Sequence, residues 1–417
     1  MPIFWLCLIV STIISAASER ASGTTIDSGS TILACAAVLL CWAGVHRLVA
    51  AYAALRVDEG RWSAATAERF VDGWLPRLRW TWLPINALLL SVGQFAALAA
   101  DHPVLVHSLT LHAAWLLLPS FVAMGWSIHC GDELQRYLAQ KHRWFAVPTG
   151  LRSLWTESGW IVAPLVAVLL TMDLIGLITG VPGQELSSGW LALLIVVMPL
   201  LMPWLMSRVW RTASVKRFNE YQWLDELRAA SGVRGVAFHV WPTGGRLSTA
   251  AAIGFVPGAR LVLLTDGALI RLPRAQLSMV ALHELAHLKR WHMPLRLAAL
   301  LPGWGLAAVL AYFIFPAIPW LPLPLQGPLA LTIGLGSGLW LLRWVSHATE
   351  LDADREACRL ALQVAKQVSS IPDSQSEAAR QLAAALDTLT AGAPRARRRT
   401  WFHPSIDDRL AALLRIA

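Results

Sequence analysis

The pentapeptide His283-Glu284-Leu285-Ala286-His287 carries the densest chemistry in the chain. Residues four apart share one face of an α-helix, so both imidazoles can reach a single Zn2+ while Glu284 stands beside an open coordination position. From there its carboxylate can act as general base on a water activated by the metal. The plainer alternative is two ordinary histidines on an amphipathic helix.

A catalytic zinc takes three protein ligands and keeps a fourth position exchangeable. The candidate third ligand is Glu350, in the stretch from His347 to Ala357, which reads as a helix from its run of good formers. Glu350 and Asp354 fall at i and i+4, so one carboxylate can bind metal while the other accepts the spare N–H of a ligand histidine. Ala353 and Ala357 keep that helix thin enough to approach the HExxH helix closely. Read without a metal, the stretch is an exposed charged face, a role that suits Asp352, Arg355 and Glu356 best. His292 lies five residues past His287, off the ligand face of a continuous helix, and is expected at the membrane interface.

These residues must be positioned by a membrane protein. Of 417 residues 56% are hydrophobic and 15% charged, with a mean hydropathy of +0.52, against about 25% charged in a soluble domain. The net charge of +9 does not imply nucleic acid as a partner, because the basic residues fall between apolar runs, as they do in cytoplasmic loops. The five cysteines show no CxxC spacing, so neither disulfides nor a thiolate metal site is expected.

At about 20 residues per crossing, eight spans are expected, at 2–18, 29–54, 81–100, 103–128, 159–180, 189–208, 298–320 and 326–345. The first run reads as an uncleaved span or as a cleaved signal peptide. Arg56, Arg61, Arg69, Arg77 and Arg79 separate the second span from the third; Arg136, Lys141, Arg143 and Arg152 separate the fourth from the fifth. The positive-inside rule then puts both termini and residues 209–297 in the cytoplasm. Two spans lie between His287 and Glu350, an even number that returns the chain to the side it left. Within the spans, Asp173 is read as a hydrogen-bonded packing group, and His107 and His112 as polar groups of the bundle interior. Tryptophans near span ends read as interfacial anchors.

The expected fold is mainly α: a polytopic membrane helical bundle carrying a small α+β cytoplasmic unit. Its parts are an N-terminal membrane domain (1–208), a cytoplasmic catalytic segment (209–297), a transmembrane hairpin (298–345) and a cytoplasmic C-terminal segment (346–417). Within 209–297 the composition predicts a helix from Lys216 to Ala230, strands Gly235 to Val240 and Leu261 to Thr265, and a helix from Pro273 to His292. The basic run Arg395, Arg397, Arg398 and Arg399 suits anionic lipid headgroups or a solvated linker equally.

On these residues the chain resembles the membrane zinc metallopeptidases that include HtpX-type quality-control proteases and CAAX prenyl proteases. Leu263-Leu264-Thr265-Asp266-Gly267-Ala268-Leu269, followed by Leu277 to His287, is similar to their strand, turn and HExxH helix. His403-Pro404-Ser405 with Asp408-Arg409-Leu410 resembles their C-terminal His-Pro and Arg element, and the likeness covers about half the chain, 235–417. It implies a zincin-like unit with one Zn2+ per chain held by His283, His287 and Glu350. It also implies that the C-terminal element folds back, so that His403, or else Arg409, donates to the tetrahedral oxyanion; His403 also reads as a simple helix-start histidine. Thr249, Ala250, Ala251, Ala252, Ile253 and Gly254 resemble the family's edge strand, along which an extended substrate would pair. Thr249 and Ala251 depart from the family's usual Asn and bulkier residue, and about six spans precede the site, more than HtpX-type members carry.

The function expected is a membrane-embedded zinc endopeptidase, in the bacterial inner membrane with its site facing the cytoplasm. Its partners would be protein or peptide substrates and membrane lipids, with no nucleic acid. Two alternatives stand beside it. One is a BlaR-type signal-transducing protease that cuts a cytoplasmic regulator; the other is a non-catalytic multi-pass scaffold or transporter.

Overall fold

The computed structural model describes residues 28–91, 94–140, 162, 166–167, 169–180, 200–245, 247–321, 323–368, 371–391 and 397–415. The expected first span, Lys141, Arg143, Arg152 and Arg395 lie outside the described residues. The chain divides into two compact units, Met1–Ile195 and Val196–Ala417.

The described part of the first unit is helical. Helix α1 (Ser28–Asp58) matches the second expected span. Helix α2 (Ala64–Ser91) starts well before the expected residue 81 and includes Arg69, Arg77 and Arg79. Its early start follows from Ser63, whose hydroxyl accepts the Thr66 N–H at 3.2 Å and caps the helix directly after the short turn at Gly60. The chain then breaks at Gln94, where φ is 56°, and resumes as the short helices α3 (Phe95–Asp101) and α4 (Pro103–His107) before α5 (Leu109–Gln140). Trp82, fully buried, donates to Ser120 at 2.9 Å, and Ser120 donates to Asn86 at 3.0 Å, tying α2 to α5. Asp173, on helix α6 (Leu169–Thr179), accepts the Ser108 hydroxyl and the Leu109 and Thr110 N–H groups, capping the start of α5.

The second unit carries a four-stranded sheet in the order β1-β2-β4-β3. Strands β2 (Val236–Trp241) and β4 (Arg260–Thr265) are parallel, while β1 (Ala213–Ser214) and β3 (Ala250–Ile253) are antiparallel edges. The helix expected from Lys216 begins only at Trp223: extended Phe218 (φ −121°) splits the preceding residues into two single 3-10 turns before α7 (Trp223–Ser231). After α8 (Asp266–Arg271), helix α9 (Arg274–Lys289) is buried at every position from Leu277 to Leu288. An all-round buried helix is the centre of a core rather than one of its walls, and α9 lies in one hydrophobic cluster with β2, β4 and α7.

The HExxH helix does not continue to His292. It ends at Arg290, Trp291 adopts φ 56°, and a new helix α10 (His292–Ala298) begins. Helix α11 (Leu301–Val309) leads through a π turn and a 3-10 turn to α12 (Leu323–Val364). This helix of 42 residues, on the order of 60 Å long at 1.5 Å per residue, joins the expected span 326–345 to the Glu350 stretch without interruption. Helix α11 meets it through glycines: a Cβ on Gly303 would come within 2.4 Å of the Gly334 carbonyl and 2.7 Å of Gly338. Small residues four apart allow such backbone contact between helices in a membrane. Among the described residues three helices are long and apolar enough to cross a membrane, Ser28–Asp58, Leu109–Leu138 and His292–Ala317. The unit is completed by α13 (Gln375–Thr390) and α14 (Ile406–Leu414).

Candidate metal centre

Helices α9 and α12 pack closely, with Ala353 and Ala357 wholly buried in the same core. That contact brings the two histidines and the distant glutamate together. His283 Nε2 and His287 Nε2 are 3.2 Å apart, His283 Nε2 is 3.7 Å from Glu350 Oε2, and His287 Nε2 is 3.5 Å from Glu350 Oε1. Ligand bonds of about 2.0–2.1 Å at tetrahedral angles put donor atoms roughly 3.4 Å from one another. The observed triangle has that size, so these residues fit a zinc ion. Among the described residues they form the single His/Cys/Asp/Glu group close enough to hold a metal.

The groups behind the triangle also suit a metal. Asp354, buried, accepts from His283 Nδ1 at 2.9 Å, which leaves the Nε2 lone pair free for an ion. Arg409 clamps the same carboxylate through Nε at 2.9 Å and Nη2 at 2.6 Å, and its Nη1 lies 3.4 Å from Glu350. Burial alone would raise the Asp354 pKa, but Arg409 and the His283 hydrogen bond outweigh it and hold the carboxyl below its ordinary value. Glu350 is driven well below its ordinary value against the same burial penalty, chiefly by His403, His283 and His287. Its carboxylate also accepts from Arg296 at 2.8 Å. Glu284 goes the other way: burial raises its pKa, with only partial relief from His283.

His403 reaches Glu350 with Nδ1 at 3.2 Å while its ring stays exposed. The turn that carries it is pinned to α12, where His347 Nε2 meets the Thr400 carbonyl at 3.0 Å. The C-terminal element therefore does fold back over the site. Arg397 pairs with Asp387 and Asp407, and Arg399 with Asp408, so these two members of the basic run are engaged within the protein.

Strand β3 lies at the open edge of the sheet beside α9. Thr249 turns its carbonyl to the Thr265 N–H at 3.1 Å. Strand alternation then turns the peptide groups of Ala250 and Ala252 to the open edge, where the Ala252 backbone acts on the Glu284 carboxyl and offsets part of the effect of its burial. Thr249 to Ala252 line a cleft of about 430 Å3 together with the three candidate ligands, Glu284, Arg296, His403 and Arg409. Leu382, Leu386 and Leu389 of α13 supply an apolar portion of its lining.

Residues 240–417 match Peptidase family M48. This segment of the chain belongs to that family. The match makes the M48 segment a peptidase module, and its bounds take in the edge strand, the HExxH helix, Glu350 and the His-Pro element. The crystal structure of S. mikatae Ste24p shares the fold at a TM-score of 0.54 and 13% identity, over 94% of this chain and 100% of that one. The common fold thus reaches beyond the M48 segment into the N-terminal helices. No curated protein matches the sequence significantly.

Several residues near the M48 centre escape a reading by spacing. His292, expected at the interface, is buried, with Nδ1 2.9 Å from His287 Nδ1 and Nε2 3.0 Å from Asp352. An off-face position at i+5 holds only on an unbroken helix, and left-handed Trp291 breaks the helix. Asp352 and Glu356, expected on an exposed face, pair with Arg290 at 3.0 Å and Lys289 at 2.9 Å, and Glu356 is buried. Arg296 and the α13 leucines carry no motif, and no sequence signal points to them.

Proposed function

We propose that the chain is a membrane-embedded zinc-dependent endopeptidase that hydrolyses peptide bonds of membrane or membrane-proximal proteins. The observation that carries the reading is the convergence of His283, His287 and Glu350 into a triangle of 3.2 to 3.7 Å beside Glu284. A bound zinc ion supplies Lewis acidity, polarising the scissile carbonyl and lowering the pKa of a water.

The chain's own residues supply the rest. Glu284, which lines the same cleft as the three candidate ligands, takes the proton from the attacking water and returns it to the leaving amine. An extended substrate adds a strand to the open edge at Ala250 and Ala252, so main-chain hydrogen bonds hold it and side-chain selectivity is loose. His403 donates to the developing oxyanion from the exposed side of the site. Arg409 is suited to holding Asp354 instead, since two of its nitrogens are committed to that carboxylate.

The test is zinc content and casein cleavage by the purified full chain and by Glu284→Gln. The expected result is about one zinc per chain in both proteins and cleavage only in the wild type. Cleavage that survives in Glu284→Gln would overturn the assignment.

A further inference from the structure

We infer that His292 is a positioning residue for His287: it accepts the His287 Nδ1 proton, is itself oriented by Asp352, and so turns the His287 Nε2 lone pair toward the ion. The inference rests on the proposal that His287 is a ligand.

The Nδ1 atoms of His287 and His292 are 2.9 Å apart with the rings at 76°, so one proton is shared between two nitrogens. His292 Nε2 lies 3.0 Å from Asp352 Oδ2, an ionised carboxylate that only accepts. A neutral His292 therefore carries its proton on Nε2 and offers a lone pair at Nδ1. His287 must then carry its proton on Nδ1, which leaves Nε2 bare. The opposite assignment sets a bare nitrogen against a carboxylate and protonates the atom that faces His283 and Glu350. Asp352, held by Arg290 at 3.0 Å, thus fixes the tautomer of a ring it does not touch.

Backbone geometry points the same way. Trp291 occupies the left-handed region at φ 56°, rare for a bulky residue, and Arg260 stacks over its ring at 5.3 Å. That single residue turns the chain so that the buried His292 ring faces back onto His287. Residues held in sparsely populated conformations persist where their surroundings over-determine them. The two ligand histidines are therefore oriented by different means: His283 directly by a carboxylate, His287 through a second imidazole.

Three substitutions separate this role from packing. His292→Asn places a carbonyl oxygen where Nδ1 stood and keeps the acceptor; His292→Gln places an amide nitrogen where Nε2 stood and loses it; His292→Phe keeps the ring and loses both functions. Zinc affinity of the solubilised full chain, read by competition with a chromogenic chelator, is expected to fall about 10–100-fold in the Gln and Phe variants. The Asn variant is expected to stay within about threefold of wild type, since the hydrogen bond to the ligand is preserved. Melting of the zinc-free proteins is expected to coincide, and if the Phe variant does not fold, the contrast of Asn with Gln decides. Wild-type affinity in Phe or Gln, or an Asn variant as weak as Phe, overturns the inference. A wild type that binds no zinc overturns the proposed function as well, an outcome distinct from variants that bind as wild type does.

Discussion

Replacing Asp354 by Ala separates what its carboxylate does for the fold from what it does for the metal. Asp354 is 1% exposed and receives Arg409 at 2.9 and 2.6 Å and His283 Nδ1 at 2.9 Å. Its loss leaves the guanidinium of Arg409, 6% exposed, with Glu350 in contact at 3.4 Å and Glu284 acting on it from farther away. Breaking a buried pair by removing one partner costs about 3–5 kcal/mol, and the surviving Glu350 contact places the expected loss near the lower end. The second consequence falls on His283, which loses the acceptor that fixes its tautomer. Such outer partners are worth about 10–100-fold in metal affinity, or roughly 1.4–2.8 kcal/mol. A double variant, Asp354→Leu with Arg409→Met, removes both charges together. Its zinc-free stability is expected to recover most of the loss, while its zinc affinity stays as low as in Asp354→Ala. Thermal melting of the zinc-free chain and chelator competition read the two quantities independently. Undiminished zinc affinity in Asp354→Ala, or its full recovery in the double variant, would refute the reasoning.

Three further outcomes are expected. Gly303→Val, which forces a side chain into the Gly334 and Gly338 backbone, should lower the melting temperature and activity together, whereas Gly305→Val, with open space around it, should leave both unchanged. Ala250→Pro, which deletes an outward N–H from the edge strand while keeping strand geometry tolerable, should lower kcat/KM at least tenfold, a barrier of about 1.4 kcal/mol or more, with zinc content unaltered. Asp266 accepts from Thr243, Gly244, Gly245 and Gly267, and against its burial these bonds depress its pKa below the ordinary 3.8. A depressed carboxyl contributes stability that is complete above the unfolded value and lost as pH falls through the folded one. Protection of the Gly244 and Gly245 amides, relative to their intrinsic exchange rates, should fall as the Asp266 carboxyl is protonated in acid, and Asp266→Asn should show the lower protection already at neutral pH.

The parts of the site that rest on helical periodicity were legible in the sequence. His283 and His287 share a face because i and i+4 do, with Glu284 next to them in the same turn, and Glu350 with Asp354 follows the same rule on α12. Strands β2 and β4 followed from β-branched and leucine runs between turn residues, and the edge position of Ala250–Ile253 from a resemblance rather than from pattern. What escaped depends on single backbone departures without a residue type to mark them. Trp291 in a left-handed conformation carries neither the glycine nor the asparagine that usually flags such a break, so spacing alone puts His292 at the interface rather than against His287. Phe218 cut short the Lys216 helix in the same unmarked way. The helical residues of α2 before the expected span also carry no hydropathy signal, because arginines on a helix and arginines in a loop look alike in a hydropathy window. Long-range pairings such as Lys289 with Glu356 and Arg296 with Glu350 arise only when α9, α10 and α12 meet, and no local pattern announces them.

The most direct measurement is X-ray absorption at the zinc edge on the purified full chain, alongside Glu350→Ala. Nitrogen and oxygen at about 2.0–2.1 Å with the multiple scattering of two imidazoles are expected, with most of the metal lost in the variant. Sulfur among the ligands, a single imidazole, or undiminished zinc in Glu350→Ala would rule out a site made by His283, His287 and Glu350.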